Sequence, residues 1–212
     1  MRISTLAYNE KILSEYSTDF GNLFVKKPSI VATPRSTSSL RDCFFHARSQ
    51  NMKLSFRGGG QSFCGQSLCN NGMVIDLKEL NTDDSSIEVG DDYVTAPAGM
   101  LLYDLQVFLR KKGLRLPIYT AATKATLGGT LASGGISGRS FSKGLLADHV
   151  LGIELMGTDG QLWKCDLESN SDILSYALST MGISGAILTA KIETEPLLPY
   201  RVQLVIKRFP IV

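Results

Sequence analysis

Half of the 20 glycines in this 212-residue chain fall in two short windows, four within 58–65 and six within 128–144. Glycine that dense is either flexible linker or backbone that must come close to something, since glycine alone lacks a Cβ and takes positive φ freely. The residues around the glycines separate the two readings. Phe56-Arg57-Gly58-Gly59-Gly60-Gln61-Ser62 directly follows an apolar run. Its three successive residues without Cβ let neighbouring N–H groups converge on one anion as a nest. Ser62 adds a hydroxyl donor and Gln66 an amide donor. Taken alone, the triple glycine also fits an ordinary surface turn. The second window, from Thr126 to Gly138, interleaves Leu127, Leu131 and Ile136 with Gly128, Gly129, Gly134 and Gly135, which a Gly/Ser linker would not. Thr126, Thr130 and Ser133 read as neutral hydroxyl donors. Two donor-rich, nearly uncharged loops suit a long ligand with a pyrophosphate at its middle, because neutral dipoles satisfy such an anion by many hydrogen bonds.

Other glycine-dependent chemistries fail on spacing. No Gly-Lys pair exists, so there is no Walker A loop, and neither G-x-G-x-x-G nor G-x-S-x-G occurs. Neither His46 nor His149 is marked as a partner for Ser62, Ser137 or Ser184, which argues against a serine hydrolase. The charge balance, 22 basic against 20 acidic side chains, argues against nucleic acid as a partner. An apolar content of 43% with a net charge of +2 argues against disorder. No apolar run is long enough to span a membrane, and the N-terminus does not read as a signal peptide. Cys43, Cys64, Cys69 and Cys165 form no C-x-x-C pair, and with two histidines no metal set is expected. Reduced thiols in a cytoplasmic protein are the expectation, with a Cys64–Cys69 disulfide as the alternative.

The fold class reads as α+β in two subdomains that part near residues 80–86. Ser29–Ala32 is a strand and 39–50 a helix, with Ser39 and Asp42 as its capping signal and Leu40, Cys43, Phe44 and Ala47 on its apolar face. Lys53–Phe56 and Met73–Leu77 follow as strands, giving a small parallel βαβ sheet. Ile87–Val89 and Tyr93–Ala96 form a hairpin around Gly90-Asp91-Asp92. Residues 100–112 make an amphipathic helix closed by Gly113. Val150–Met156 and Gln161–Cys165 form a second hairpin, 171–180 a helix behind a serine cap, and Ala186–Glu193 a final strand.

These blocks resemble a known family. Arg57-Gly58-Gly59-Gly60-Gln61-Ser62 with Gln66, then Met73-Val74-Ile75-Asp76-Leu77 and Leu80-Asn81, is similar to the pyrophosphate loop of FAD-linked oxidases of the vanillyl-alcohol oxidase type. The Thr126–Gly138 run, Asp148–Gly160 and Gly182–Ile192 fit the same family in order and spacing, with the nearest local similarity to cytokinin dehydrogenases. The resemblance implies a PCMH-type fold, with FAD between a small parallel subdomain and a larger mixed or antiparallel one with flanking helices. It divides the chain into an N-terminal helical extension (1–27), subdomain 1 (28–82), subdomain 2 (83–198) and the start of a connection (199–212) to a missing C-terminal substrate domain. It implies that Gly58, Gly59, Gly60, Gln61, Ser62 and Gln66 line the pyrophosphate side and that Thr126, Gly128, Gly129, Ser133 and Ile136 line the second loop. Gly185 and Ile187 would meet the adenine side through backbone.

Three departures qualify the implied activity. Gln61 stands where many relatives carry a flavin-linked histidine, and no cysteine lies between 114 and 138, so FAD is expected to be non-covalent. Ala121 stands where cytokinin dehydrogenases have a catalytic aspartate, so that activity is not carried over and the catalytic residues remain unassigned. The expected function is the FAD-binding domain of an oxidoreductase that takes a hydride from a small-molecule C–H beside O or N. A non-catalytic flavin module or a cofactor-only half-protein, and a nucleotide-binding protein without flavin, are the other readings. His46, His149, Cys64 and Trp163 are expected in packing or hydrogen-bonding roles. Lys124 reads equally as a flavin-facing cation or an exposed loop lysine, and Asp83-Asp84 and Asp91-Asp92 as solvated turns.

Overall fold

Two sheets, each built around its most apolar strand, set the architecture. The computed structural model describes residues 6–80, 86–199 and 205–207. Met73–Asp76 (β4) is buried along its whole length. It pairs in parallel with Ile30–Ala32 (β2) on one side and Leu54–Arg57 (β3) on the other. The crossover is the helix Thr37–Ser49 (α2), which buries Leu40, Cys43, Phe44 and Ala47. That spacing places all four on one helical face. The expected βαβ unit is present, with an addition at its edge. Leu6–Ala7 (β1) pairs antiparallel with β2, so the order is β1-β2-β4-β3. The short helix Glu10–Glu15 (α1) follows β1. The capping signal differs from expectation. Ser36, not Ser39, caps α2, accepting from the Ser39 amide at 3.2 Å while the Ser39 hydroxyl returns to the Ser36 amide at 3.1 Å. The helix therefore begins two residues earlier, at Thr37, and Ser39 takes the reciprocal position of the box.

The second sheet is antiparallel throughout, in the order β5-β6-β10-β8-β9. Its strands are Glu88–Val89 (β5), Tyr93–Pro97 (β6), Val150–Met156 (β8), Leu162–Asp166 (β9) and Ala186–Glu193 (β10). Both expected hairpins form, and the eight-residue β10 lies at the centre between β6 and β8. Leu102–Lys111 (α3) packs Leu102, Leu105 and Leu109 into the core with no exposure, and Gly113 turns the chain away at φ +72°. Leu114–Arg115 (β7) then pairs with Glu195–Pro196 (β11). Ser171–Ala177 (α6) is shorter than expected and has no serine cap. Asn170 precedes it in the left-handed region at φ +56°, a conformation asparagine tolerates better than most residues. Trp163 packs against the large-sheet core.

The two sheets share a core. Met156, Ala186 and Leu188 of the large sheet lie in the same buried cluster as Leu40 and Phe44 of α2 and Ile75 of β4. Arg41 of α2 also donates to the Gly160 carbonyl in the β8–β9 turn at 3.0 Å. Asp91-Asp92 lies exposed in its turn, whereas Asp83-Asp84 and the break between subdomains lie outside the described residues. The four cysteines carry free thiols; Cys64 is exposed and the others are buried. Cys64 and Cys69 are not bridged. No helix among the described residues is long and apolar enough to cross a membrane.

Candidate functional site

A cleft of about 450 Å³ opens where the sheets meet, and every site residue named from the sequence lines it. Gly58, Gly59, Gly60, Gln61, Ser62 and Gln66 come from the loop after β3. Thr126, Gly128, Gly129, Ser133 and Ile136 come from the second window, and Gly185 and Ile187 from the entry to β10. A larger depression of about 570 Å³ beside α3 is lined by neither glycine window.

The first loop ends β3 and abandons the ladder. Among the described residues, the amides of Gly59, Gly60, Gln61, Ser62 and Phe63 donate to no acceptor. A run of unanswered donors is costly unless water or a ligand meets them. The glycines themselves have divided duties. A Cβ on Gly58 would stand 2.2 Å from Thr126 Oγ1, and one on Gly59 would stand 1.7 Å from the Lys124 carbonyl oxygen. These two residues let the first loop dock directly on the second. Gly60 instead supplies a positive φ of +68°.

The second window is half helix, where a continuous loop was expected. Leu127–Ala132 (α4) starts at Thr126, whose Oγ1 accepts from the Gly129 amide at 3.2 Å. Glycine is a poor helix former, but a Cβ on Gly128 would stand 2.8 Å from the Ala98 Cβ, so its absence lets α4 lie against the end of β6. Helix formation also changes the hydroxyls. Thr130 donates to the Thr126 carbonyl at 2.9 Å, and Ser133 to the Thr130 and Gly129 carbonyls at 3.0 and 3.1 Å. Those protons are therefore committed to helix carbonyls, as serine and threonine inside helices commonly are. The free donors on this wall are the amides of Gly135 and Ile136, which bond to nothing among the described residues.

A third segment closes the end of α4. The amides of Ser179 and Met181 donate to the carbonyls of Leu131 and Ala132 at 3.0 and 2.8 Å. Both residues hold positive φ, +60° and +58°, which is uncommon outside glycine. Gln66 reaches across from the first loop, with its Nε2 3.8 Å from Met181 Sδ. Gly185, at φ +143°, leaves no room for a Cβ, which would fall 2.3 Å from the Met156 carbonyl oxygen.

Among the described residues, the cleft lining contains no Asp, Glu, Lys, Arg or His. Lys124 is exposed, and it is its carbonyl that meets the first loop. His149 is engaged at both nitrogens, Nδ1 with Glu193 at 2.7 Å and Nε2 with the Lys143 carbonyl at 2.8 Å. His46 is half-buried on α2, and Ala121 is exposed with no base in its place. No group of His, Cys, Asp and Glu among the described residues is arranged to hold a metal. Sequence reasoning missed Thr120, which lines the cleft with a buried hydroxyl that has no partner among the described residues. Only three-dimensional placement shows that hydroxyl to be unanswered.

Comparison with known proteins gives a consistent result. A family profile described as an FAD binding domain matches residues 28–166. An uncharacterized oxidoreductase of the fasciation locus of Rhodococcoides fascians is 30% identical over 181 residues, covering 85% of this chain and 41% of that protein. Cytokinin dehydrogenase 9 of Oryza sativa subsp. japonica is 31% identical over 189 residues, covering 87% of this chain and 36% of the relative. The crystal structure of 6-hydroxy-D-nicotine oxidase from Arthrobacter nicotinovorans superposes with a TM-score of 0.81 at 19% identity, over 92% of this chain and 44% of the other. The two-sheet fold is therefore the PCMH-type fold expected from the sequence. The chain spans about two fifths of the length of these curated relatives.

Proposed function

The chain belongs to the FAD binding domain family, with FAD as its cofactor, and from that premise we propose that the cleft holds FAD with its pyrophosphate on the first glycine loop. The observation that carries this reading is the run of unanswered amides from Gly59 to Phe63 on a loop whose glycines present bare backbone. Such a nest suits an anion in a cleft without cationic side chains. The Ser62 hydroxyl and the Gln66 amide stand in the same wall, and Gly135 and Ile136 offer further amides opposite. Gly185 and Ile187 would meet the adenine side through backbone. A cleft of about 450 Å³ lies within the usual range for cofactor sites.

The binding is non-covalent on this reading. Gln61 offers no nucleophile, and its Nε2 donates back to the Gly59 carbonyl at 3.2 Å. We place the two sheets in subdomains 28–82 and 83–198, and the setting in the cytoplasm, which four free thiols support.

The whole protein is proposed to be an oxidoreductase acting on a C–H beside O or N, where bound FAD supplies the hydride acceptor. This chain's residues bind and orient the cofactor. With no carboxylate, imidazole or lysine lining the cleft among the described residues, a proton acceptor for such chemistry has to come from elsewhere than these walls. That absence favours one second reading, a cofactor-holding half whose substrate site is completed by another domain or partner.

Gly59→Leu tests the assignment. The added side chain collides with the Lys124 backbone, so FAD binding is expected to vanish while far-UV circular dichroism stays near wild type. Unchanged FAD affinity would show that the pyrophosphate is held elsewhere.

A further inference from the structure

The outer side of the first loop is gripped by the N-terminal segment, residues 16–25, which no sequence motif marks. The Phe20 amide donates to the Ser62 carbonyl at 2.9 Å, and the Phe20 and Phe63 rings meet edge to face at 5.2 Å. In a trans peptide the N–H points opposite the preceding C=O. Fixing the Ser62 carbonyl toward Phe20 therefore turns the Phe63 amide away from the strap. Phe24 closes the far end of the loop, since a Cβ on Gly65 would stand 3.0 Å from it. The strap is itself tied down. Thr18 bridges to Val25, and Asp19, buried, accepts from the Leu23 amide at 3.0 Å.

Arg57 joins strap and loop. Its Nη1 donates to the Thr18 carbonyl at 3.0 Å, and its guanidinium carbon lies 5.2 Å from the centre of the Tyr16 ring. Tyr16 is held in turn by a 2.5 Å hydrogen bond to the buried Asp76. Burial, then the bond to Asp76 and its charge, push the Tyr16 phenol well above its ordinary range, so it remains a neutral donor. The guanidinium also backs Gly60. A Cβ there would stand 2.9 Å from Nη2 and 3.0 Å from Nε. Among the described residues Arg57 makes no ion pair, its ordering partners being a carbonyl and an aromatic ring. Its cross-strand neighbour is Asp76, whose carboxylate is engaged by Tyr16 and Lys78. A positive charge with no carboxylate in ion-pair contact thus sits directly behind the loop, although among the described residues no cationic side chain lines the cleft itself.

We propose that Arg57 and the 16–25 strap are positioning elements for the cofactor pyrophosphate. The strap fixes the direction of the loop amides, and Arg57 supplies from behind the positive field that the cleft walls lack. This deepens the reading of the site as an FAD cleft and rests on it.

The test measures FAD affinity by flavin fluorescence in wild type, Arg57→Gln, Arg57→Lys and Phe20→Ala, at NaCl from about 0.05 to 0.5 M. Thermal midpoints without FAD are recorded alongside. Arg57→Gln is expected to weaken FAD about tenfold at low salt and to flatten the salt dependence. Arg57→Lys keeps the charge and should restore a wild-type salt slope with part of the affinity. Phe20→Ala should weaken FAD several-fold with the wild-type slope, because Arg57 remains. If Arg57→Gln does not fold, the Lys and Ala variants still decide. Affinities within twofold of wild type, or a loss in Arg57→Gln whose salt slope matches wild type, would overturn the proposal. A folded wild-type chain that takes up no FAD would instead overturn the underlying reading, and this inference with it.

Discussion

Glu195 holds together a corner of the molecule remote from the glycine loops in sequence. Its carboxylate meets Arg115 and Arg139 at 3.1 Å each and Lys143 at 2.6 Å, joining β11 to β7 and to the helix Ser140–Lys143 (α5) that follows the second window. Partial burial pushes this carboxyl upward, but the hydrogen bonds from Lys143 and Arg139, with their charges, outweigh it and hold the pKa at about 2 against an ordinary 4.5. A carboxyl depressed on folding contributes stability that is complete above its unfolded pKa and is lost as pH falls through its folded one. Glu195→Gln is therefore expected to lower the thermal midpoint at pH 7 by about 5 °C, the effect of roughly 1.5–2 kcal/mol in a chain this long. The gap to wild type should close as pH falls from about 4.5 toward 2. A gap that stays constant over that window would show that the carboxylate's charge is not what matters.

At the scale of elements, α4 shows what sequence pattern could and could not reveal. β10 was legible because eight residues alternate and end at a clear charge, and α2 because four apolar residues recur at helical spacing. Leu-Gly-Gly-Thr-Leu-Ala reads as a loop, since two of its six residues disfavour helix. What makes it helical is the local Thr126 cap together with a tertiary approach to Ala98 that no linear pattern shows. The pairings β1–β2 and β7–β11 were illegible for a related reason, β1, β7 and β11 each being two residues long. The glycine lining of the cleft was easier to read than the elements around it, because close backbone approach leaves a direct mark in the sequence as clustered glycine. Its donors did not, because a hydroxyl's partner depends on which carbonyl the fold brings near, as Thr130 and Ser133 illustrate. Thr126→Ala tests the cap. Losing it should cost about 1 kcal/mol, a fall of about 2–4 °C in thermal midpoint. FAD affinity should fall as well, since Thr126 also meets Gly58. A midpoint and an affinity both at wild-type values would mean that α4 is held without its cap.

Among the described residues, the two larger sheets share one buried cluster through α2, β4, β8 and β10, with the cleft at their junction. That construction explains why the opposed walls can be so poor in side chains: the scaffold behind each loop, rather than the loop itself, fixes its position. It also makes cofactor binding and stability one linked quantity, because a ligand that bridges the walls binds only the folded state. The direct measurement is a titration of the purified chain with FAD, read by thermal midpoint and by flavin absorbance before and after acid precipitation. One FAD per chain should bind, raising the midpoint by about 5–10 °C at roughly a hundredfold excess over Kd. All of the flavin should then pass to the acid supernatant, as non-covalent binding requires. A folded chain that takes up no FAD and whose midpoint does not move would contradict the account, and flavin retained on the precipitate would contradict its non-covalent attachment.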